Sequence, residues 1–179
     1  MRIERLRREH GVQVKWVHFP LHPETPAEGR SLADLHAGRG DVAARQAQMR
    51  TRMAAEGLPY GERTMTFNSR LAQELAAWAD TQPGGDAIHD ALFRAYFVDA
   101  SNIGDAEVLV RIATSIGLAS AAARAVIENR TYKAAVDADW EKSRAYGITG
   151  VPTFVVGHHG VVGAQPYEAL EDLLAQARS

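Results

Sequence analysis

The sequence predicts an α/β fold in which a long all-helical segment interrupts a small domain that contains the strands. Strand-like patterns occur only near the two ends of the 179-residue chain, and the residues between them recur with helical spacing. The strands are also too few for a doubly wound sheet. We therefore expect a split domain of residues 1–40 and 140–179 around a helical insertion domain of residues 41–139.

The chain is predicted to begin with a helix and a strand. Ile3 and Leu6 share one helical face, and Gly11 is typical of a residue that follows a helix. Residues 12–19 place side chains alternately on two sides, which predicts a strand. Three prolines between residues 20 and 26 then impose an irregular path.

Six helices are predicted in the middle of the chain from their caps and apolar spacing. Asp41 caps a helix that runs to Glu56, and Asn68 or Ser69 caps the next. The third helix carries Ile88–Phe97, and the fourth is capped by Asp105 and ends at Gly117. The fifth is Ala119–Asn129, and the sixth is Tyr132–Tyr146.

The C-terminal end is predicted to form a β-hairpin and a helix. Thr153–Val156 is the first strand, residues 157–160 form the turn, and residues 161–163 return. Pro166 suits the first turn of the last helix.

Composition excludes several classes of function. The formal net charge of −2 favours neither nucleic acid nor an anionic membrane as a partner. The sequence shows no membrane-spanning run and no secretory signal, so we expect a cytoplasmic location. The absence of cysteine excludes disulfides, Cys-ligated zinc and a cysteine nucleophile within these 179 residues.

Pro152 stands at the start of a predicted strand, where a missing N–H is tolerated. An X–Pro bond at this position is either trans or cis. A cis bond would let the preceding carbonyl and N–H pair with an outside peptide, and a trans bond would count against a binding role. The residues alone leave both forms open.

Four segments carry a resemblance to a known family. Residues 146–156, with Gly150-Val151-Pro152-Thr153-Phe154, resemble the proline signature of the thioredoxin superfamily. Residues 14–23, residues 66–72 and Gly163-Ala164-Gln165 resemble the DsbA-type oxidoreductases of the FrnE group. That group is related to 2-hydroxychromene-2-carboxylate isomerase and to kappa-class glutathione transferase.

The resemblance implies a thioredoxin-like domain with a helical insertion, and also a departure from the family. The family begins with a strand followed by Cys-Pro-x-Cys, and both are missing from this chain. Three explanations stay open at this point: a natural start upstream, a second copy completing the sheet as a homodimer, or direct pairing of residues 12–19 with Thr153–Val156.

The resemblance also implies which residues bind substrate. Val151, Pro152 and Thr153 would form the loop that holds a thiol or disulfide peptide, or a glutathione-like substrate. His18, Asn68 and Gln165 are candidates for the surrounding groove, although the plain interpretation of Asn68 is a helix cap. Gln165 brings no charge, which weakens glutathione binding. No residue of this chain is expected to be catalytic.

The seven histidines do not predict a metal site, and we expect neither a metal nor another cofactor. His18 and His22 lie on a segment broken by Pro20, and His158 and His159 are adjacent in a turn, so neither pair has metal-ligand spacing.

Three functions are therefore considered. The first is a DsbA-family thiol–disulfide oxidoreductase that is inactive in this form for lack of cysteine. The second is a glutathione-dependent isomerase or transferase of the kappa-like branch. The third is a non-catalytic peptide-binding module.

Overall fold

The computed structural model describes residues 2–38 and 40–177 and has a helix-rich α/β architecture. Backbone contacts divide the chain into two units: residues 1–21 with 138–179, and residues 22–137. The predicted domain boundaries at residues 40/41 and 139/140 stay a prediction. The helices are α1 Arg2–His10, α2 Leu32–Leu35, α3 Val42–Ala55, α4 Arg70–Ala79, α5 Ile88–Phe97, α6 Ala106–Ser115, α7 Ser120–Asn129, α8 Lys133–Ala145 and α9 Tyr167–Gln176.

The strands form two separate antiparallel pairs. β1 Arg30–Ser31 pairs with β2 Met65–Thr66, and β3 Thr153–Val156 pairs with β4 His159–Val162. The sequence did not predict the first pair, because two residues are too short to show a periodicity of two.

Several helix boundaries follow from the predicted caps. The Asp41 side chain accepts a hydrogen bond from the Ala43 N–H at the start of α3. The Asp105 side chain likewise accepts from the Val108 N–H at the start of α6. These bonds satisfy N–H groups that have no partner inside a helix, which is why the caps could be located from sequence.

The predicted strand over residues 12–19 is wrong. The structure assigns neither helix nor strand to residues 11–20. Direct pairing of this segment with β3 is also contradicted, because β3 pairs with β4 alone among the described residues. An alternating pattern gives a strand only where a neighbouring strand supplies the ladder of hydrogen bonds.

The hairpin turn is shorter than predicted. β4 begins at His159, so the turn contains only Gly157 and His158. Gly157 has φ of 60°, which a glycine adopts without steric cost at the first position of a two-residue hairpin loop. Pro166 precedes α9 as its N-cap rather than lying in its first turn.

Each unit has its own apolar cluster. In the larger unit, α4, α5, α6 and α7 bury a cluster that includes Leu75, Ile88 and Leu109, all with no exposed surface. In the smaller unit, Leu6 of α1 packs with Tyr167, Leu170 and Leu174 of α9, and Phe154 covers this cluster from β3. No described helix is both long enough and apolar enough to cross a membrane.

Candidate functional site

The segment between α8 and β3 is a short loop held at both ends. At its start the Ile148 N–H donates to the Ser143 carbonyl over 3.0 Å, and at its end the Gly163 N–H donates to the Pro152 carbonyl over 2.7 Å. The Val151–Pro152 peptide bond is cis. The Thr153 hydroxyl donates to the Gly150 carbonyl over 2.7 Å. The loop is thereby fixed while Val151 stays 50% exposed.

One edge of β3 carries no strand in the part of the chain that the structure describes. The bond from Gly163 to Pro152 fixes which residues of β3 face β4. Because an antiparallel ladder alternates, Phe154 and Val156 direct their backbone groups to β4, whereas Thr153 and Val155 direct theirs away from it. The outer edge therefore presents backbone donors and acceptors immediately after Pro152.

His18 is held by the helix that leads into this loop. Its ring Nδ1 lies 2.8 Å from Asp139 Oδ2, and its backbone N–H donates to the same oxygen over 3.1 Å. The Ser143 hydroxyl donates to the His18 carbonyl over 3.3 Å. The His18 side chain is only 12% exposed. Through these contacts His18 anchors residues 11–20 to α8.

Asp139 is a residue that sequence reasoning missed. A single aspartate inside a helix carries no pattern in the sequence. Its partner lies 121 residues away in sequence, so only the fold shows the pair.

Gln165 is used within its own loop. Its side-chain amide donates to the Val162 carbonyl over 2.5 Å. Its backbone carbonyl accepts a hydrogen bond from the Arg2 guanidinium over 3.0 Å. Through these two contacts Gln165 holds the segment between β4 and α9 in place.

Asn68 lies in the larger unit and organises its entry loop. Its amide nitrogen donates to the carbonyls of Pro23 and Thr25, over 3.3 Å and 2.7 Å. Its amide oxygen accepts from the Arg70 N–H over 2.9 Å, at the first residue of α4. All of these contacts hold backbone groups, but the N-cap residue of α4 is Ser69, and Asn68 lies one residue before it.

A buried carboxylate near Asn68 was also missed. Glu74 has no exposed surface, and it accepts hydrogen bonds from Arg70 over 2.6 Å and from Arg130 over 2.6 and 2.7 Å. Burial by itself raises the pKa of the Glu74 carboxyl, but the hydrogen bonds from Arg130 and Arg70 outweigh it, so that the pKa lies below its ordinary value. The Arg70–Glu74 spacing of four on a helix was the available signal.

One cluster in the smaller unit has donor atoms near enough to surround a metal ion. Donor atoms of Glu9, His10 and Glu171 lie within 4.8 Å of one another. Glu9 accepts hydrogen bonds from Arg5 over 3.0 Å and from the Tyr167 hydroxyl over 2.9 Å. The carboxylate of Glu9 is thus engaged by an ion pair, and none of the four histidines considered as ligands from sequence belongs to this cluster.

Comparison with protein families gives one assignment that covers nearly the whole chain. The family model described as "DSBA-like thioredoxin domain" matches residues 1–175. Among curated proteins, "Uncharacterized protein YwbO" of Bacillus subtilis (strain 168) is 30% identical over 109 residues, which are 59% of this chain and 53% of that protein. The chain thus matches about half the length of this relative.

Three solved structures show the same fold. The structure of 2-hydroxychromene-2-carboxylate isomerase matches with a TM-score of 0.75 and 16% identity, over 98% of this chain and 84% of that one. A putative protein disulfide isomerase from Nitrosomonas europaea matches with a TM-score of 0.66 and 16% identity, over 98% and 87%. The cytosolic disulfide reductase DsbM from Pseudomonas aeruginosa, solved with GSH, matches with a TM-score of 0.55 and 22% identity, over 78% of each chain.

Proposed function

Because the chain belongs to the DSBA-like thioredoxin domain family, we propose that it binds the substrates of a DsbA-type protein disulfide oxidoreductase of the FrnE kind. The substrate is a peptide that carries a thiol or a disulfide, and it binds at the loop of Val151, Pro152 and Thr153. The 179 residues contain no cysteine, so this chain holds the substrate and does not itself supply the attacking sulfur.

The single observation that carries the proposal is the edge of β3, directly after the proline loop, on which no strand of the described residues lies. Thr153 and Val155 direct backbone N–H and C=O groups toward that edge. An extended peptide that adds as a strand would satisfy these groups, which is a common mode of peptide recognition. The exposed Val151 side chain lies at the start of this edge and would contact the peptide's apolar side chains.

The test is a titration with an unstructured peptide of alternating valine and threonine that contains one cysteine in a mixed disulfide. We expect saturable binding, followed by NMR shifts of Thr153 and Val155. The same peptide methylated at every backbone nitrogen should bind weakly, because it cannot donate to the ladder. Equal binding of both peptides would contradict strand addition.

A matched pair of variants locates the binding site. Val151→Glu introduces a charge at the loop, and Val162→Glu introduces the same charge on β4, where the valine is also exposed. Only Val151→Glu is expected to weaken peptide binding, by about tenfold, the effect of one well-placed contact. Equal weakening by both variants would argue for non-specific contact with apolar surface.

The absence of cysteine gives a second, independent expectation. Insulin reduction with dithiothreitol should proceed at the uncatalysed rate in the presence of this chain. Catalysis of insulin reduction by the chain itself would contradict a role limited to substrate binding.

A glutathione-dependent isomerase or transferase of the kappa-like branch is the second candidate. It is supported by the fold shared with 2-hydroxychromene-2-carboxylate isomerase and with DsbM, which was solved with GSH. The engagement of the Gln165 amide by Val162 counts against it. Saturable binding of glutathione in the millimolar range, measured by calorimetry, would favour this candidate over the peptide.

A non-catalytic peptide-binding module is the third candidate, and the same titration separates it from the first. A peptide with serine in place of cysteine would bind such a module equally well. The proposal further includes a cytoplasmic location and, when no peptide is bound, a second copy that occupies the same edge of β3 and completes the sheet. Sedimentation of the chain alone should then give a dimer that Val155→Lys, at the open edge, converts to a monomer.

A further inference from the structure

The larger unit contains a cavity that the proposed function does not use. Its volume is about 230 Å³, below the range of roughly 300–1,000 Å³ that is usual for drug-sized ligands. Its lining consists of Ala27, Asn68, Arg70, Leu71, Gly104 and Arg130. All six residues belong to the unit formed by residues 22–137.

The guanidinium group of Arg130 has two edges, and only one of them is bonded to a carboxylate of the protein. Nε and Nη2 donate to the two carboxylate oxygens of Glu74 over 2.6 and 2.7 Å. Among the described residues, Nη1 has no hydrogen-bond partner, and the side chain is 41% exposed. The Glu74 carboxylate therefore fixes the guanidinium plane, and the end of the group with Nη1 remains for a ligand.

The backbone of Arg130 is also unusual. Its φ is 52°, in the left-handed region, at the end of α7. Glycine is the usual residue at this position because it has no Cβ atom, and asparagine is the side chain that tolerates this conformation best. An arginine that occupies it is expected to be needed for its side chain.

The charges around the cavity favour an anion. Three cationic side chains, Arg70, Arg130 and Lys133, meet two carboxylates, Glu74 and Asp137, which leaves one positive charge in excess. Arg70 is already joined to Glu74, to Asp137 and to the Lys133 carbonyl. Arg130 is therefore the cation that contacts the ligand, and Arg70 forms a fixed wall.

We propose that this cavity binds a small aliphatic carboxylate, held by the outer end of the Arg130 guanidinium group. A guanidinium group donates two parallel hydrogen bonds to a carboxylate, and such charge-assisted bonds are strong. The side chains of Ala27 and Leu71 provide an apolar wall for a short hydrocarbon tail. This inference is independent of the peptide edge in the smaller unit.

The test uses butyrate as the probe and the amide butyramide as its neutral control. At ~10 mM butyrate, enough to fill a site of millimolar affinity, we expect saturable NMR shifts of Arg130 and Gly104. Butyramide should give no saturable shift, because it lacks the charge. Inorganic phosphate has a larger oxyanion group than a carboxylate and has no hydrocarbon tail, so it should bind more weakly than butyrate.

Two variants locate the bound carboxylate. Ala27→Leu fills the cavity from an exposed position and should weaken butyrate binding at least tenfold, while Ala122→Leu, also exposed and on α7, should not change it. Arg130→Lys keeps the charge but loses the parallel donors, so it should also weaken binding about tenfold. Circular dichroism spectra of both cavity variants should match that of the unaltered protein.

Three outcomes would overturn the proposal. The first is the absence of saturable butyrate binding, and the second is binding that Ala27→Leu leaves unchanged. The third is tighter binding of phosphate than of butyrate, which would assign the cavity to a different anion.

Discussion

The two units of the molecule differ in how many of their apolar side chains are buried and how many are exposed. Among the described residues, the larger unit, residues 22–137, buries a cluster of fourteen apolar residues, whereas the cluster of the smaller unit contains four. Of the ten large apolar side chains that are exposed among the described residues, eight lie in the smaller unit: Val14, Trp16, Val17, Leu21, Tyr146, Val151, Val155 and Val162.

The difference follows from the kind of secondary structure in each unit. A helix satisfies its own backbone hydrogen bonds, so a group of helices can close around a core without further partners. A strand at the edge of a sheet leaves backbone groups without a ladder partner, and among the described residues this holds for the four-residue strands β3 and β4 of the smaller unit as well as for the two-residue strands β1 and β2. The eight exposed apolar side chains of the smaller unit all lie outside its helices, and this unit also contains the proposed peptide edge.

Hydrogen exchange should show the largest contrast between the units. Among the described residues, the amide N–H groups from Val12 to Lys15 have no hydrogen-bond partner, and they should exchange at nearly the unprotected rate. The amides of Leu109 and Val110 in α6 should exchange only on global unfolding, which is slower by three orders of magnitude or more, as expected for roughly 5 kcal/mol of stability. Protection of Val12–Lys15 would show that this segment has a strand partner in solution.

The two units also differ in how well their secondary structure could be predicted from the sequence. The four-residue helix α2 of the larger unit was not predicted, but its longer helices were predicted nearly to the residue, because Asp41 and Asp105 cap two of them locally and apolar spacing indicates the buried face. The strand over residues 12–19 was predicted wrongly, because its alternation is local but its partner is not. The Val151–Thr153 loop was found by resemblance rather than by physical pattern.

Two of the missed contacts join residues that are distant in sequence. His18 and Asp139 are separated by 121 residues, and Glu74 and Arg130 by 56. No periodicity or spacing rule joins residues at such separations. Each pair depends on how whole helices are placed, which the sequence pattern does not contain.

Truncation of a fully buried side chain should have the next largest effect. Leu109→Ala removes a side chain with no exposed surface from the large cluster, and should lower the free energy of unfolding by about 3–4 kcal/mol. Leu21→Ala, at a leucine that is 51% exposed, should change it by less than about 0.5 kcal/mol. Urea unfolding followed by circular dichroism measures both, and comparable losses would break the distinction between the units.

Removal of the buried charge should cost somewhat less. Glu74→Gln leaves the guanidinium groups of Arg70 and Arg130 without their shared carboxylate, and should destabilise the larger unit by about 3 kcal/mol. That is the low end of the range for a broken buried pair, because Arg130 is 41% exposed to water. Glu62→Gln removes an exposed partner of Arg50 and serves as the control, with no expected shift of the urea midpoint.

The same carboxylate should make the larger unit sensitive to acid. The pKa of Glu74 is lower in the folded protein than its ordinary value of 4.5, because its hydrogen bonds to Arg130 and Arg70 outweigh the effect of burial. Its contribution to stability is therefore complete above about pH 4.5 and is lost as the pH falls through the folded-state pKa. Urea midpoints between pH 7 and 3 should fall less steeply for Glu74→Gln than for the unaltered protein. Parallel curves would contradict this assignment.

The smallest expected effect is an alkaline one, and it belongs to the smaller unit. Burial raises the pKa of the Tyr167 hydroxyl above 10, and its hydrogen bond to the Glu9 carboxylate raises it further. Because the folded-state pKa lies above the unfolded one, the contribution of Tyr167 is complete below about pH 10 and is lost as the pH rises through the folded-state pKa. Tyr167→Phe keeps the ring that packs with Leu170 and should flatten the alkaline fall in thermal midpoint. Tyr60→Phe, in the larger unit, is the control, and an equal flattening by both variants would place the alkaline sensitivity outside the Tyr167–Glu9 contact.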